Sequence, residues 1–537
     1  MVVSNKFLLR LNSLTRYNGQ DKEFVNFNLY RLILKEEVLM AAYEKIKSNK
    51  TALTSVTGDE TLDGFGLERI NRLKMKLTNE SWQPRPARRI QIPKTGTNKT
   101  SLLGIQEPEE KIVQTAMLFI LNAIYEPRFL PTSFGFRPGK GVHDALQEVD
   151  WKFFGTNLII EGNITGMYDN IDHHILIRML EKNIQDARFI RLVWKMLRTG
   201  YMNIEEKSGI IKPLVGIPRG SIISPILSNI YLHELDVFMQ DKCSNMSSVK
   251  QRVRTPPYKE LNNKLRRLKS QIEPSLPIID RKGILKEIRQ LHIKSLNTRN
   301  SVDPRIRINY IRYADDFIIG IAGPNKLAEE IKEEVAELFN TLNLTLNDAK
   351  TKITDIKKER VIFLGYQIQI STSIKKKYVY PQGQRPTLKR VTGKGISLQA
   401  PIDLIIERLY QKGFCSKKGF PQPKKIWIPQ EDNQIIQHYN SIIRGIFNYY
   451  LGANKRSRLG RIWYILKFSC AFTLAARHRT SLKKIFTKHG SSLTVIYGMK
   501  GEKVIKLYKP GLKEKDKKWL VERQLPDSYR YIARRLS

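Results

Sequence analysis

Two adjacent carboxylates constrain this chain more than any other feature: Asp315 and Asp316, in the run Arg312-Tyr313-Ala314-Asp315-Asp316-Phe317-Ile318-Ile319. Ile306, Ile308 and Tyr310 precede the pair, and Phe317, Ile318, Ile319 and Ile321 follow it. That pattern predicts a β-hairpin with both acids at its tip. Like charges side by side on a buried turn repel unless cations sit among them, and hard oxygen ligands of this kind suit Mg²⁺. A carboxylate cluster is also what two-metal phosphoryl transfer requires. The plain alternative is a solvated Asp-Asp turn. The aromatic before the pair and the apolar strands around it favour the metal site.

The 537 residues contain 93 Lys and Arg against 51 Asp and Glu, a formal charge of +42. An excess of that size predicts a polyanionic partner, phosphate backbones above all, with steep salt dependence. A membrane role is not expected, because the sequence holds no apolar run of spanning length and no long amphipathic anchor. The length suits about two to four domains, each with a sizeable core. Cys243, Cys415 and Cys470 form no Cys-x-x-Cys pair, which argues against a disulfide framework, a zinc ribbon or a Cys-rich endonuclease module and fits a reducing compartment. Residues 1–16 are mildly basic around Phe7-Leu8-Leu9, too short for a signal peptide and at best a transit peptide. Frequent Lys, Ile and Asn suit an AT-rich genome and so an organelle; the mitochondrion is the expectation, with chloroplast or bacterium as alternatives.

Periodicity divides the chain further. Residues 28–50 carry a helical stripe, 85–94 a basic-faced strand, and 111–125 a core helix. Leu158-Ile159-Ile160-Glu161 reads as a short buried strand, with a helix after Asp172. Residues 240–305 are polar and basic and read as an insertion with one or two charged helices. An amphipathic helix follows over 326–342, then a buried strand over 361–366 and a basic linker over 375–395. Beyond it, one helix is lined by Ile435, Ile436, Tyr439, Ile442, Ile443 and Ile446. Another is lined by Ile462, Ile465, Leu466, Ser469 and Phe472.

Several blocks now stand in order: Ile92-Pro93-Lys94, Leu103-Gly104-Ile105, Ser133-Phe134-Gly135-Phe136-Arg137-Pro138-Gly139 and Tyr168-Asp169-Asn170-Ile171-Asp172-His173. Gly216-Ile217-Pro218-Arg219-Gly220-Ser221, the Tyr-Ala-Asp-Asp box, Lys350-Thr351-Lys352 and Phe363-Leu364-Gly365-Tyr366 follow. Together they resemble the blocks of group II intron-encoded reverse transcriptase/maturase proteins. The helical region resembles that family's maturase domain, or domain X, through Tyr439-Asn440-Ser441-Ile442-Ile443-Arg444-Gly445-Ile446-Phe447-Asn448-Tyr449-Tyr450 and Thr473-Leu474-Ala475-Ala476-Arg477-His478. The resemblance covers roughly residues 28–490.

It implies an α+β chain, with the fingers and palm of a right-hand polymerase followed by an α-helical thumb or maturase domain. The expected divisions are an N-terminal extension (1–27), fingers (28–155), palm (156–374) with the basic insertion, linker (375–395), thumb (396–490) and tail (491–537). It also implies binding to a group II intron RNA and help in its splicing; some members copy RNA into DNA. Many end in a zinc-dependent DNA endonuclease with paired cysteines and histidines, which this sequence lacks, so target-DNA cleavage is not expected.

The departures from the family pattern fall at the chemical centre. The family's third acid opens the motif Asp-Ile-Lys-x-x-Phe/Tyr-Asp, which here reads Asn163-Ile164-Thr165-Gly166-Met167-Tyr168-Asp169. Asn keeps an oxygen but loses the charge that offsets divalent cations. Asp169 would stand about 20 Å away along an extended strand, too far to substitute. The family's Arg-Pro-Leu-Gly-Ile is Ser101-Leu102-Leu103-Gly104-Ile105, the Lys of its Asp-Ile-Lys is Thr165, and its Pro-Gln-Gly is Pro218-Arg219-Gly220. Lys94, Ser101, Arg219 and Lys350 are therefore the candidates for nucleotide or template contact, at a centre where Mg²⁺ is expected to be weak or vestigial.

For RNA binding the candidates are Arg444, Lys455, Arg456, Arg458, Arg477, His478 and Arg479. Arg444 interrupts an apolar helix, where an unpaired charge is costly, so a phosphate or carboxylate partner is expected. Tyr449 and Tyr450 read as core before RNA-stacking residues; His478 reads equally as a phosphate contact or an exposed side chain. The sum is an intron-binding splicing cofactor on a reverse-transcriptase scaffold. An active RNA-directed DNA polymerase with maturase activity and a general RNA chaperone are the rivals. Oligomeric state is not legible, a dimer being one option.

Overall fold

The hairpin expected around the acid pair forms the centre of the palm. The computed structural model describes residues 5–47, 66–93, 100–203, 215–246, 253–272, 277–298, 301–302, 306–347, 351–371, 375–379, 387–391, 395–498, 503–513 and 518–520. Strands Arg307–Tyr313 and Asp316–Ala322 pair antiparallel, with Tyr313 opposite Asp316. Only Ala314 and Asp315 remain in the loop, and Ala314 takes φ 55, a left-handed conformation usually filled by Gly in such turns. An alanine there costs on the order of 1 kcal/mol. The surroundings hold it in place: Ala314 N donates to Phe134 O at 3.1 Å, and Arg312 Nη1 donates to Ala314 O at 3.0 Å. Gly135 packs so closely that an added Cβ would lie 2.7 Å from Ala314 N. That contact accounts for one glycine of the Ser-Phe-Gly-Phe block.

Five strands make the palm sheet, in the order Lys352–Asp355, Leu158–Asn163, Asp316–Ala322, Arg307–Tyr313, Ser133–Phe134. Period-2 alternation splits their side chains between two cores. Leu158, Ile160, Ile308, Tyr310, Phe317, Ile319 and Ile321 join the core of the fingers and palm helices. Ile159, Ile311 and Ile318 join the core that runs into the thumb. Gly162 leaves room for the Phe317 ring, which an added Cβ would meet at 2.0 Å.

Arg312 is fully buried, and its five N–H groups are all used. Nε and Nη2 donate to the two oxygens of Asp236 at 2.8 and 2.6 Å, Nη2 also to Ser133 Oγ, and Nη1 to Asn229 Oδ1 and Ala314 O. A buried ion pair is tolerable only when satisfied in this way. Its effect is to fix the hairpin tip.

In the fingers, helix Pro108–Tyr125 starts with Pro at its first turn and is buried along most of its length. Glu110 lies within it at 2% exposure, with Oε1 accepting from Arg85 N at 2.9 Å. The described part of the expected extension, from residue 5, does not stand apart: helix Asn5–Gln20 buries Phe7, Leu11 and Leu14 in the same core as Pro108–Tyr125. The basic-faced strand is Ala87–Pro93, paired with Thr100–Ile105 and, in parallel, with Tyr201–Asn203. Residues 28–50 break into Tyr30–Ile33 and Glu36–Lys47.

The basic insertion holds two charged helices, Pro256–Ser270 and Ile278–Asn297, above a short antiparallel pair, Val253–Arg254 with Ser301–Val302. Two expectations need correction downstream. The strand over 361–366 is a hairpin, Val361–Phe363 with Tyr366–Ile370, because Leu364 and Gly365 take φ 46 and 70. The linker over 375–395 also pairs, Lys375–Val379 against Thr387–Val391.

The thumb packs helices Ile402–Gln411, Asp432–Tyr449, Gly460–Arg477 and Leu482–His489. Tyr439 bridges two of them through Ser469 Oγ at 2.8 Å and Thr473 Oγ1 at 3.0 Å. Three tyrosines fasten the thumb to the Leu364–Gly365 turn. Tyr366 OH donates to Tyr449 O at 2.5 Å, Tyr449 OH to Leu364 O at 2.7 Å, and Tyr450 OH to Gly365 O at 3.1 Å. Among the described residues no helix is long and apolar enough to cross a membrane.

Candidate active site and basic surface

The register of the palm sheet places Asn163 opposite Asp316 on the neighbouring strand. Asn163 Nδ2 donates to Asp316 Oδ1 at 2.5 Å. An aspartate in that place would set two acceptor-only groups against each other, which requires a cation or a shared proton. The amide instead satisfies Asp316 with an N–H. Asp315, half-buried on the loop, faces Tyr168; burial first, and the Asp315 charge second, push the Tyr168 phenol above its ordinary range.

Asp169 is not on an extended strand, as expected from parity. The strand ends at Asn163, Gly166 turns left-handed at φ 53, and Met167–Asn170 form a helical turn with Asp169 N donating to Gly166 O at 2.7 Å. Asp169 points its carboxylate at Arg219, Nη2 to Oδ2 at 3.1 Å. The Arg219 guanidinium also lies 5.8 Å from the centroid of the Tyr168 ring. Its main-chain oxygen accepts from Gly104 N at 2.7 Å, which joins the fingers strand to this loop. Lys94 and Lys350 lie outside the described residues; Ser101 is described only by its backbone, paired with Ile92.

On the thumb the candidate cations separate into two kinds. Arg456 is not on the surface: it is 2% exposed, donating through Nη1 to Tyr450 O and Leu451 O and through Nη2 to Gly511 O. Its charge ties a loop to the tail and is out of reach of RNA. Arg444 is not a buried charge either. It lies on the exposed face of its helix, 5.2 Å from the Tyr508 ring centroid, and lines an open pocket with Asn440, Ser441 and Lys506. Arg458 donates to Gln399 Oε1 at 2.9 Å while remaining exposed. Lys455 and Arg479 are exposed, both on left-handed residues. Arg477 and His478 converge on Asp432, at 3.1 and 2.8 Å.

The comparisons with known proteins address the whole of this arrangement. A model described as reverse transcriptase (RNA-dependent DNA polymerase) matches residues 92–254 and 258–368, and one described as type II intron maturase matches 394–532. The group II intron-encoded protein LtrA of Lactococcus lactis is 34% identical over 494 residues, covering 90% of this chain and 80% of that protein. The chain belongs to the group II intron reverse transcriptase/maturase family.

Other family members include a COX1/OXI3 intron 1 protein of Saccharomyces cerevisiae, 33% identical over 92% of this chain and 58% of its own length. A mitochondrial protein of Marchantia polymorpha, ymf11, is 31% identical over 72% of this chain and 56% of its own. Family reverse transcriptases use divalent metal ions, and group II intron maturases bind intron RNA. Bacterial and organellar relatives are both represented. In this family member the sequence does not reveal Asp432, which gathers Arg477 and His478, the latter from 46 residues away. No local motif marks such a residue. Arg312 stands beside the acid box, but its buried partner Asp236 is 76 residues distant and equally unmarked.

Proposed function

We propose that this family member assists splicing by binding folded intron RNA, and that its palm no longer polymerises. The observation that carries the second half is the Asn163 Nδ2 bond to Asp316 Oδ1. Asp315 and Asp316 could hold a single Mg²⁺, but an amide donor stands where a bridging carboxylate is needed. The donor set therefore does not fit a catalytic metal pair. The RNA is to carry out the splicing chemistry, and the protein is to stabilise its folded form by mass action, binding that form in preference to misfolded ones. A broad basic surface suits RNA recognised by shape and backbone. A mitochondrial intron is the reading that composition and the fungal and plant relatives favour.

Primer extension on an RNA template tests the palm directly. The natural chain is expected to give no Mg²⁺-dependent synthesis, and robust synthesis would reject the inactive centre. Activity gained in Asn163→Asp alone would assign the loss to that residue. A second reading, an active polymerase with maturase activity, draws on the intact acid pair and the satisfied Arg312 lock beneath it.

A further inference from the structure

We propose that Asp432, His478 and His489 form a binding site for a divalent transition-metal ion, with Zn²⁺ the best chemical match, that clasps three helix ends of the thumb. Asp432 opens helix Asp432–Tyr449, His478 caps the C-terminus of Gly460–Arg477, and His489 ends Leu482–His489. One ligand atom from each lies within 4.8 Å of the others. Two imidazoles and a carboxylate are a donor set suited to Zn²⁺, with a fourth position left for water.

The decisive observation is the state of His489. It is 8% exposed, and its Nε2 is buried with no hydrogen-bond partner among the described residues. Its Nδ1 lies 3.1 Å from Thr494 O. A carbonyl oxygen only accepts, so Nδ1 carries a proton and Nε2 is the ring nitrogen left to face the other two side chains. Leaving such a group unsatisfied inside the protein is costly. The same pattern, one ring nitrogen donating to a backbone carbonyl and the other free, is how metal-binding histidines are oriented.

The other two ligands are arranged to complement it. His478 Nε2 is 2.8 Å from Asp432 Oδ2 and 3.0 Å from Oδ1, and Oδ1 is also engaged by Arg477 Nε at 3.1 Å. Asp432 thus has one oxygen shared between the guanidinium and the imidazole and one turned to the imidazole alone. Closing donors around a metal at about 2.0–2.2 Å needs only a small inward shift of side chains. The site is a clasp: it would fix the turn after Gly460–Arg477 that presents the exposed Arg479. It involves none of the palm residues and does not depend on the proposed function.

The test titrates the metal-stripped full-length chain with Zn²⁺ alone, following stoichiometry by calorimetry and melting temperature by circular dichroism. One equivalent bound, with a raised melting temperature, is expected. His478→Gln, at an exposed position, and Asp432→Asn are expected to weaken binding about 10–100-fold or more while leaving the fold intact. Independently of any variant, Zn²⁺ should protect His478 from diethyl pyrocarbonate, read by mass spectrometry on the natural chain. Binding below one equivalent, affinity unchanged in both variants, or no protection of His478 would each overturn the site.

Discussion

Asp316 and Glu110 are carboxylates met in different ways. At Asp316 an amide supplies a donor, and the group stays exposed. At Glu110 one oxygen meets the Arg85 N–H and the other has no partner among the described residues. Burial pushes the Glu110 carboxyl up to about 7, from 4.5 in the unfolded chain. The folded state therefore holds a proton that the unfolded chain releases in that window. Stability falls as pH rises from about 4.5 to 7, and a penalty on the order of 3 kcal/mol is complete above it. Urea unfolding across that range should show the decline in the natural chain and a flatter profile in Glu110→Gln; an identical slope would remove Glu110 as its source. Residues of this kind set the limit of sequence reading. Asn163 is legible because its motif has fixed spacing. The position of Asp169 is not, since a left-handed Gly166 ends the strand and redirects the carboxylate to Arg219. Arg456 reads as a surface cation because its carbonyl partners, one of them Gly511, are invisible in a helix-face pattern.

Whole elements are easier to foresee where their pattern is local. The acid hairpin, the core helix Pro108–Tyr125 and the thumb helices all follow from apolar periodicity, which burial enforces within a few residues. Elements built from basic sequence escape such reading, as with the paired strands Lys375–Val379 and Thr387–Val391, where no apolar alternation announces the ladder. The tail gives no signal either, yet it reaches the junction of palm and thumb. Lys518 N donates to Leu451 O at 3.1 Å, Leu520 N donates to His143 Nδ1 at 3.0 Å, and the Trp519 ring sits 6.1 Å from that of Tyr366. Gly452 makes this possible, for an added Cβ would meet the indole at 2.0 Å. Gly452→Ala should therefore release the strap, giving faster limited proteolysis around Trp519 and a red-shifted tryptophan emission. Unchanged cleavage would show that the indole finds room elsewhere.

At the scale of the molecule, the excess charge is the most legible property of all, and the least informative about place. Of the cations named on the thumb, Lys455 and Arg479 are exposed, whereas Arg456 is internal. Reversing Lys455 and Arg479 to Glu should weaken intron binding and reduce the salt slope by about one for each phosphate no longer neutralised. Filter binding over a range of KCl concentrations measures this; a slope unchanged in the double variant takes that face out of the RNA interface. Arg456→Glu should instead lower thermal stability, because it strips the partner from three main-chain carbonyls, that of Tyr450 buried, and places a carboxylate at a buried position. The palm sheet lies between the two cores, lending Ile319 and Phe317 to one and Ile318 and Ile311 to the other. It is a party wall. A lineage that abandons DNA synthesis can let the acids on its rim drift, yet it cannot demolish the strands without exposing the oily inner side of the neighbouring room. On the proposed reading, the polymerase framework outlasts its original trade for reasons of masonry.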